Sequence, residues 1–214
     1  MENRTTGGSA PSQKKIAPGG AKLRRAVFFD RDGTLNVDKN YLYKIEDFEW
    51  LGDAPQAIRW TNEHDYLAVV ITNQSGIARG YFCEEDVRRL HAWMNDDLNR
   101  FGAHIDAFYY CPHLPDGSIP AYTKVCDCRK PKPGLIEHAI RDFSIDRAAS
   151  LGIGDKPRDV ECAEAAGVRG ILYEGGSLLK LLQRGSLRRR PAIRPILPLS
   201  ILLPLQRLLP TVMR

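Results

Sequence analysis

The 214-residue chain is predicted to be an α/β protein, with a Rossmann-like, mostly parallel sheet and helices on both faces. Three observations predict it. Short apolar runs alternate with segments of helical period along residues 26–174. The runs are apolar throughout, as strands covered on both faces are. Residues capable of chemistry follow the runs directly, which would gather them at one edge of the sheet, where ligands of such folds bind.

The elements follow in order. Residues 26–29 form the first apolar run, which stops at Asp30. Pro55 near a helix start, with Ala57, Ile58 and Trp60 behind it, predicts a helix. Residues 67–71 form a second strand that stops at Thr72 and Asn73. Val87, Leu90, Met94, Leu98 and Phe101 then recur at steps of three and four. Glu84, Glu85 and Asp86 precede them, in the first turn, where carboxylates suit the positive end of the helix dipole. A third strand, residues 105–110, runs into a cysteine-rich region. Gly134 opens a helix with Leu135, Ile136, Ala139, Ile140 and Phe143 on one side. Residues 151–153 are a fourth strand, 160–166 a helix and 169–172 the last strand.

The net charge of +5 suggests a partner such as nucleic acid or an anionic membrane surface, but its distribution argues otherwise. Residues 1–25 carry +5 and residues 175–214 carry +8, which leaves −8 on residues 26–174. The chain is therefore divided into a Gly/Ser/Pro-rich N-terminal tail (1–25), disordered by composition, an acidic folded body (26–174), and an atypical basic, Leu/Pro-rich C-terminal tail (175–214). Residues 195–206 are uncharged and Leu-rich, yet Pro195, Pro198 and Pro204 interrupt them and they are too short for a membrane helix. No transmembrane segment is expected, and the absence of an apolar leader makes the cytoplasm the expected location. A chain ending near residue 178 is expected to keep full activity.

Asp30 and Asp32, in Asp30-Arg31-Asp32-Gly33-Thr34, project the same way if the chain stays extended. Two like charges so close call for a cation between them. Mg²⁺ fits, because it takes one or two carboxylates, keeps several waters and accepts phosphate oxygens. Asp155 and Asp159 add acid at another strand end, with Thr72, Lys130 and Gly154-Asp155-Lys156 in matching places at the ends of the runs.

Five cysteines are too few for a disulfide framework in a chain of this length. Cys111, His113, Cys126 and Cys128 make a Cys₃His set suited to tetrahedral Zn²⁺. Residues 112–125 are too polar and proline-rich to hold themselves by packing, and a closed four-ligand site would fix them. With all four positions filled by protein, the zinc is expected to be structural. Cys83 and Cys162 lack such partners and are read as small buried hydrophobes.

These motifs resemble those of the haloacid dehalogenase superfamily of phosphotransferases, through residues 30–34, Thr72, Lys130 and Gly154-Asp155. The resemblance implies that Asp30 is the nucleophile and carries an aspartyl-phosphate. It implies that Asp32 is the general acid and then the general base, and that Thr72 and Lys130 hold phosphoryl oxygens. Mg²⁺ would be held by Asp30, Asp155 and the backbone carbonyl of Asp32, with Asp159 acting through water. Residues 29–38, 72–80, 109–113 and 126–134 further resemble the D-glycero-D-manno-heptose-1,7-bisphosphate 7-phosphatase family. That resemblance implies hydrolysis of the C7 phosphate of a heptose bisphosphate, on the route to bacterial surface polysaccharide. It implies substrate contacts from Asp38, Lys39, Asn40, Tyr41, Thr72, Asn73, Gln74, Ser75, Arg129 and Lys156.

The insertions after the first two motifs are too short for a cap domain, so a capless fold with an open site is expected. Histidinol-phosphate phosphatases are similar in their zinc knuckle and in a run like residues 111–115. The longer gap between His113 and Cys126, and residues 75–80, favour the heptose enzyme. A zinc-stabilised module that binds nucleic acid or an anionic surface would explain the basic ends but leave Asp30, Asp32 and Asp155 without a task. The expected partner is a small phosphorylated sugar rather than nucleic acid, and the expected state is a monomer.

Overall fold

Five parallel strands, β1 (Arg25–Phe29), β2 (Tyr66–Asn73), β3 (Ala107–Cys111), β4 (Leu151–Gly154) and β5 (Arg169–Leu172), form one sheet in the order β3-β2-β1-β4-β5. The computed structural model of the protein describes residues 23–187. The expectations for the first 22 residues and for the Leu-rich stretch 195–206 concern residues outside that span. Among the described residues no helix is long and apolar enough to cross a membrane.

Parallel neighbours need a crossover between them, and helices supply it. The crossovers are α1 (Ala54–Glu63), α2 (Glu84–Leu98), α3 (Gly134–Phe143) and α4 (Pro157–Ala165), and α5 (Leu178–Leu187) follows β5. Alternation along the strands sorts the core into two layers. Val27 and Phe29 of β1 and Ala68 and Val70 of β2 pack with α1, α2 and α5. Ala26 and Phe28 of β1 and Leu67, Val69 and Ile71 of β2 pack with α3 and α4. The predicted fold class is the observed one.

Two boundaries and one burial differ from expectation for local reasons. β3 extends through Cys111, so the first cysteine of the Cys₃His set ends a strand. α4 starts at Pro157, earlier than its apolar period reveals, because its first turn is polar and capped: Asp159 Oδ2 accepts the Lys156 N–H at 3.0 Å. Cys83 is exposed at the start of α2, where its N–H donates to Asp86 Oδ2 at 2.9 Å, whereas Cys162 is buried as expected.

The largest difference is α5, which begins inside the segment read as a tail. Leu178 and Leu182 are fully buried beside α1 and the sheet. Asp53, at the start of α1, accepts the Leu178 N–H at 2.8 Å and the Ser177 hydroxyl at 2.5 Å, which caps α5. The folded body therefore runs past residue 174, and a chain ending near 178 loses core rather than ornament. Leu182→Ala is expected to cost about 2–5 kcal/mol in urea unfolding. An unchanged urea midpoint would show that α5 lies outside the cooperative unit.

Candidate active site

The strand order places β1 between β2 and β4, so Asp30, Thr72 and Asp155 emerge side by side at the carboxyl edge of the sheet. The connections from β1 and from β4 leave in opposite directions there, the crevice where doubly wound sheets bind ligands. A cleft of about 290 Å³ opens at this point. Asp30, Asp32, Asp38, Asn40, Tyr41, Thr72, Asn73, Gln74, Ser75, Arg129, Lys130 and Lys156 line it, together with Arg79 and Arg158. Among the described residues no second domain covers it. Lys39 is the expected substrate residue that the fold does not bring there; its Nζ lies 3.4 Å from the Glu49 carboxylate on an exposed loop.

Lys130 is the hub. It is 5% exposed, and its Nζ reaches Asp30 Oδ1 at 2.5 Å, Asp159 Oδ1 at 2.7 Å and the Ile71 carbonyl at 2.9 Å. Its backbone is fixed by Asn73, whose side chain accepts the Lys130 N–H at 3.1 Å and donates to the Lys130 carbonyl at 3.2 Å. Burial works against the ammonium charge, but Asp30 and Asp159 outweigh it and hold the lysine above its ordinary pKa. Asp30 experiences the opposite balance. Burial raises its carboxyl, Lys130 pulls it down, and Asp159 and Asp32 push it back up, to about 7.

Asp32 sits in a net of donors. Arg31 reaches both its oxygens at 3.0 Å, Asn36 Nδ2 donates to Oδ1 at 3.1 Å, and Gln74 Nε2 donates to Oδ2 at 3.0 Å. Gln74 also donates to Thr72 Oγ1 at 2.9 Å, which ties the second motif to the first. Sequence reasoning gave Arg31 and His91 no part in the site. Arg31 is wholly buried, donates to the Leu42 carbonyl at 2.9 Å, and lies 3.3 Å from His91 Nε2. Burial, and then the Arg31 charge, hold His91 well below its ordinary pKa, so its neutral ring accepts from the guanidinium. The available signal was a histidine among Val87, Leu90 and Met94 on the buried face of α2.

Oxygen donors of Asp30, Asp155 and Asp159 lie within 4.8 Å of one another. Asp155 Oδ1 is buried without a hydrogen-bond partner, an atom that a cation would satisfy. Asp159 Oδ2 accepts the Lys156 N–H, and its Oδ1, likewise buried without a hydrogen-bond partner among the described residues, lies 2.7 Å from the Lys130 ammonium. The donor set fits a divalent ion held chiefly through Asp30 and Asp155. Gly33, at φ +86°, allows the close approach, since a Cβ there would lie 2.5 Å from Asp155 Oδ2.

The donor atoms of Cys111, His113, Cys126 and Cys128 also converge within 4.8 Å. Their sulfur–sulfur separations are 3.2, 3.2 and 3.6 Å, and His113 Nδ1 lies 3.2 Å from Cys128 Sγ. A tetrahedral Zn²⁺ with Zn–S bonds of about 2.3 Å sets edges of about 3.8 Å, so four donors this close could hold zinc. The knuckle ends directly at Arg129 and Lys130, and so fixes where two cations enter the cleft.

Comparison with known proteins supports the same assignment. Residues 127–195 match a family model described as HAD-hydrolase-like, a span that includes α5. D-glycero-beta-D-manno-heptose-1,7-bisphosphate 7-phosphatase of Haemophilus ducreyi is 47% identical over 147 residues, 68% of this chain and 80% of that one. D-glycero-alpha-D-manno-heptose-1,7-bisphosphate 7-phosphatase of Photorhabdus laumondii is 43% identical over 67% of this chain and 79% of its own. Among solved structures, a HAD-like phosphatase of Mesorhizobium loti superposes with a TM-score of 0.70 at 28% identity, covering 81% of this chain and 93% of that chain. The D,D-heptose 1,7-bisphosphate phosphatase of Bordetella bronchiseptica, complexed with magnesium and phosphate, gives a TM-score of 0.63 at 34% identity over 75% of this chain and 87% of its own. Identity at this level across most of each relative settles membership: the chain belongs to the heptose-1,7-bisphosphate 7-phosphatase family of HAD-like hydrolases.

Proposed function

We propose that the protein is a Mg²⁺-dependent phosphatase that removes the C7 phosphate of D-glycero-D-manno-heptose 1,7-bisphosphate, yielding heptose 1-phosphate for surface polysaccharide. The observation that carries this reading is the cleft in which Asp30, Asp32, Thr72 and Lys130 meet at the end of β1, in a chain whose relatives bear that name. An Asp30 oxygen attacks phosphorus and the bond to the sugar oxygen breaks, while Asp32 delivers a proton to the leaving alkoxide. Asp32 then takes a proton from water, which attacks the aspartyl-phosphate, frees inorganic phosphate and restores Asp30. Lys130 and Thr72 hold the phosphoryl oxygens as charge builds on them. Mg²⁺, when bound by Asp30, Asp155 and the Asp32 carbonyl, supplies further neutralisation of that charge. Zinc in the cysteine knuckle is structural. The same reading makes the partner a small phosphorylated sugar and the protein a cytoplasmic monomer.

The test compares phosphate release from both anomers of the bisphosphate and from histidinol phosphate, with Mg²⁺ and with a chelator, and quantifies zinc in the purified protein. The expected result is a kcat/KM at least about ten-fold higher for a heptose bisphosphate than for histidinol phosphate, abolished by chelation. Faster turnover of histidinol phosphate would overturn the substrate.

A further inference from the structure

A bisphosphate brings two dianionic groups into a cleft whose surrounding body is acidic, so the distal phosphate needs a cation of its own. Most cations in the cleft are already engaged. Lys130 is held by Asp30 and Asp159, Lys156 Nζ lies 2.5 Å from Asp155 Oδ2, and Arg129 donates to the His113 carbonyl at 3.3 Å. Arg158 is exposed, where water and salt screen it. Arg79 differs from all of these. It is half-buried and lines the cleft, and its side chain makes neither a hydrogen bond nor an ion pair with any described residue. Its Nε is buried without a hydrogen-bond partner among the described residues, and its guanidinium lies 6.0 Å from the centre of the Tyr41 ring. A partly desolvated guanidinium with no anion is unfavourable in the free protein, and a bound phosphate would reverse that.

The position of this arginine is built, not incidental. The turn after β2 carries it, with the Arg79 N–H donating to the Ser75 carbonyl at 3.1 Å. The zinc loop grips the residue before it: Ser118 and Ile119 both donate their N–H to the Ala78 carbonyl, at 2.7 and 2.9 Å. Gly117 makes the grip possible, because a Cβ there would lie 2.8 Å from the Ala78 oxygen. The loop is in turn anchored to α2 through Tyr122, whose hydroxyl donates to Glu84 at 2.8 Å.

We propose that Arg79 binds the phosphate that is not cleaved, and so sets the preference for a bisphosphate over a monophosphate; this rests on the bisphosphatase reading above. The zinc loop then has a second task, to hold a specificity residue in place. The test measures kcat/KM for heptose 1,7-bisphosphate and for heptose 7-phosphate, which carries only the cleavable group, in wild-type protein, Arg79→Gln and Arg79→Lys. The ratio of the two is expected to fall about 10–100-fold in Arg79→Gln, through KM for the bisphosphate, and to recover in part in Arg79→Lys, which keeps charge but loses the planar fork. Inhibition by the product heptose 1-phosphate should weaken in parallel, and inhibition by inorganic phosphate should not. A ratio that stays at the wild-type value in Arg79→Gln overturns the proposal while leaving the bisphosphatase reading intact. Wild-type protein that does not distinguish the two substrates overturns both. Thermal midpoints within a few degrees of wild type establish that the variants are folded.

Discussion

Asp30→Asn is expected to reduce turnover by about 10⁴-fold or more while leaving the fold intact. An amide oxygen is a poor nucleophile, and no neighbour supplies a substitute. Asp32 is held by Arg31, Asn36 and Gln74, and Asp159 is occupied by Lys130 and the start of α4. Stability should move the other way. Asp30 is buried next to Asp159, and burial, with the Asp159 and Asp32 charges, drives its carboxyl up toward neutrality against the pull of Lys130. A neutral isostere of the same shape relieves that conflict, so urea unfolding in the absence of metal should show equal or higher stability. Single-turnover phosphate release is the decisive measurement. Retention of more than about a hundredth of the wild-type rate would place the nucleophile elsewhere.

Lys130→Met is expected to damage both activity and stability. The ammonium lies between Asp30 and Asp159, with the Ile71 carbonyl as its third acceptor, and it is nearly inaccessible to water. Taking away one partner of a buried ion cluster leaves the rest uncompensated, a cost of about 3–5 kcal/mol. Turnover should fall about 10²–10³-fold, because a fixed donor to the phosphoryl oxygens is lost. The side chain of Met fills most of the same volume, which separates charge from packing. Added Mg²⁺ should narrow the stability gap to wild type, since a divalent ion among Asp30 and Asp155 replaces part of the missing positive charge. A variant as stable as wild type in a chelator would show that Lys130 is not what keeps these carboxylates together.

Much of the site was legible because its chemistry follows strands directly. Asp30, Thr72 and Asp155 are each placed by an apolar run that ends one residue or so before them, and parallel topology does the rest. The Cys₃His cluster was legible because four ligand-type residues flank a polar, proline-rich loop, and the structure brings their donor atoms within 4.8 Å of one another. What escaped notice lacked local pattern. Arg31 sits inside the motif, but its partners are the Leu42 carbonyl and His91, the histidine sixty residues away. Arg79 is marked only by the absence of a hydrogen-bond or ion-pair partner for its side chain among the described residues, a property that no sequence displays. Lys39 entered with the run 38–41 that the resemblance carries over, and in this structure its Nζ lies 3.4 Å from the Glu49 carboxylate. The last helix was masked by Gly175 and Gly176 ahead of it and by the dense arginines after it, so that Leu178 and Leu182, four apart, were absorbed into a tail.

That last helix also bears on how the molecule is made. Every described residue that lines the cleft precedes residue 159 in the chain, whereas the helix capped by Asp53 spans residues 178–187. A growing polypeptide thus acquires all of its reactive groups before it can close the sheet face that carries Val27, Leu151 and Ile153. At ribosomal rates of about 5–20 residues per second, that face stays open for a few seconds. Nascent chains stalled in this interval should be the ones that chaperones hold, possessing a complete set of catalytic side chains on an unsealed sheet.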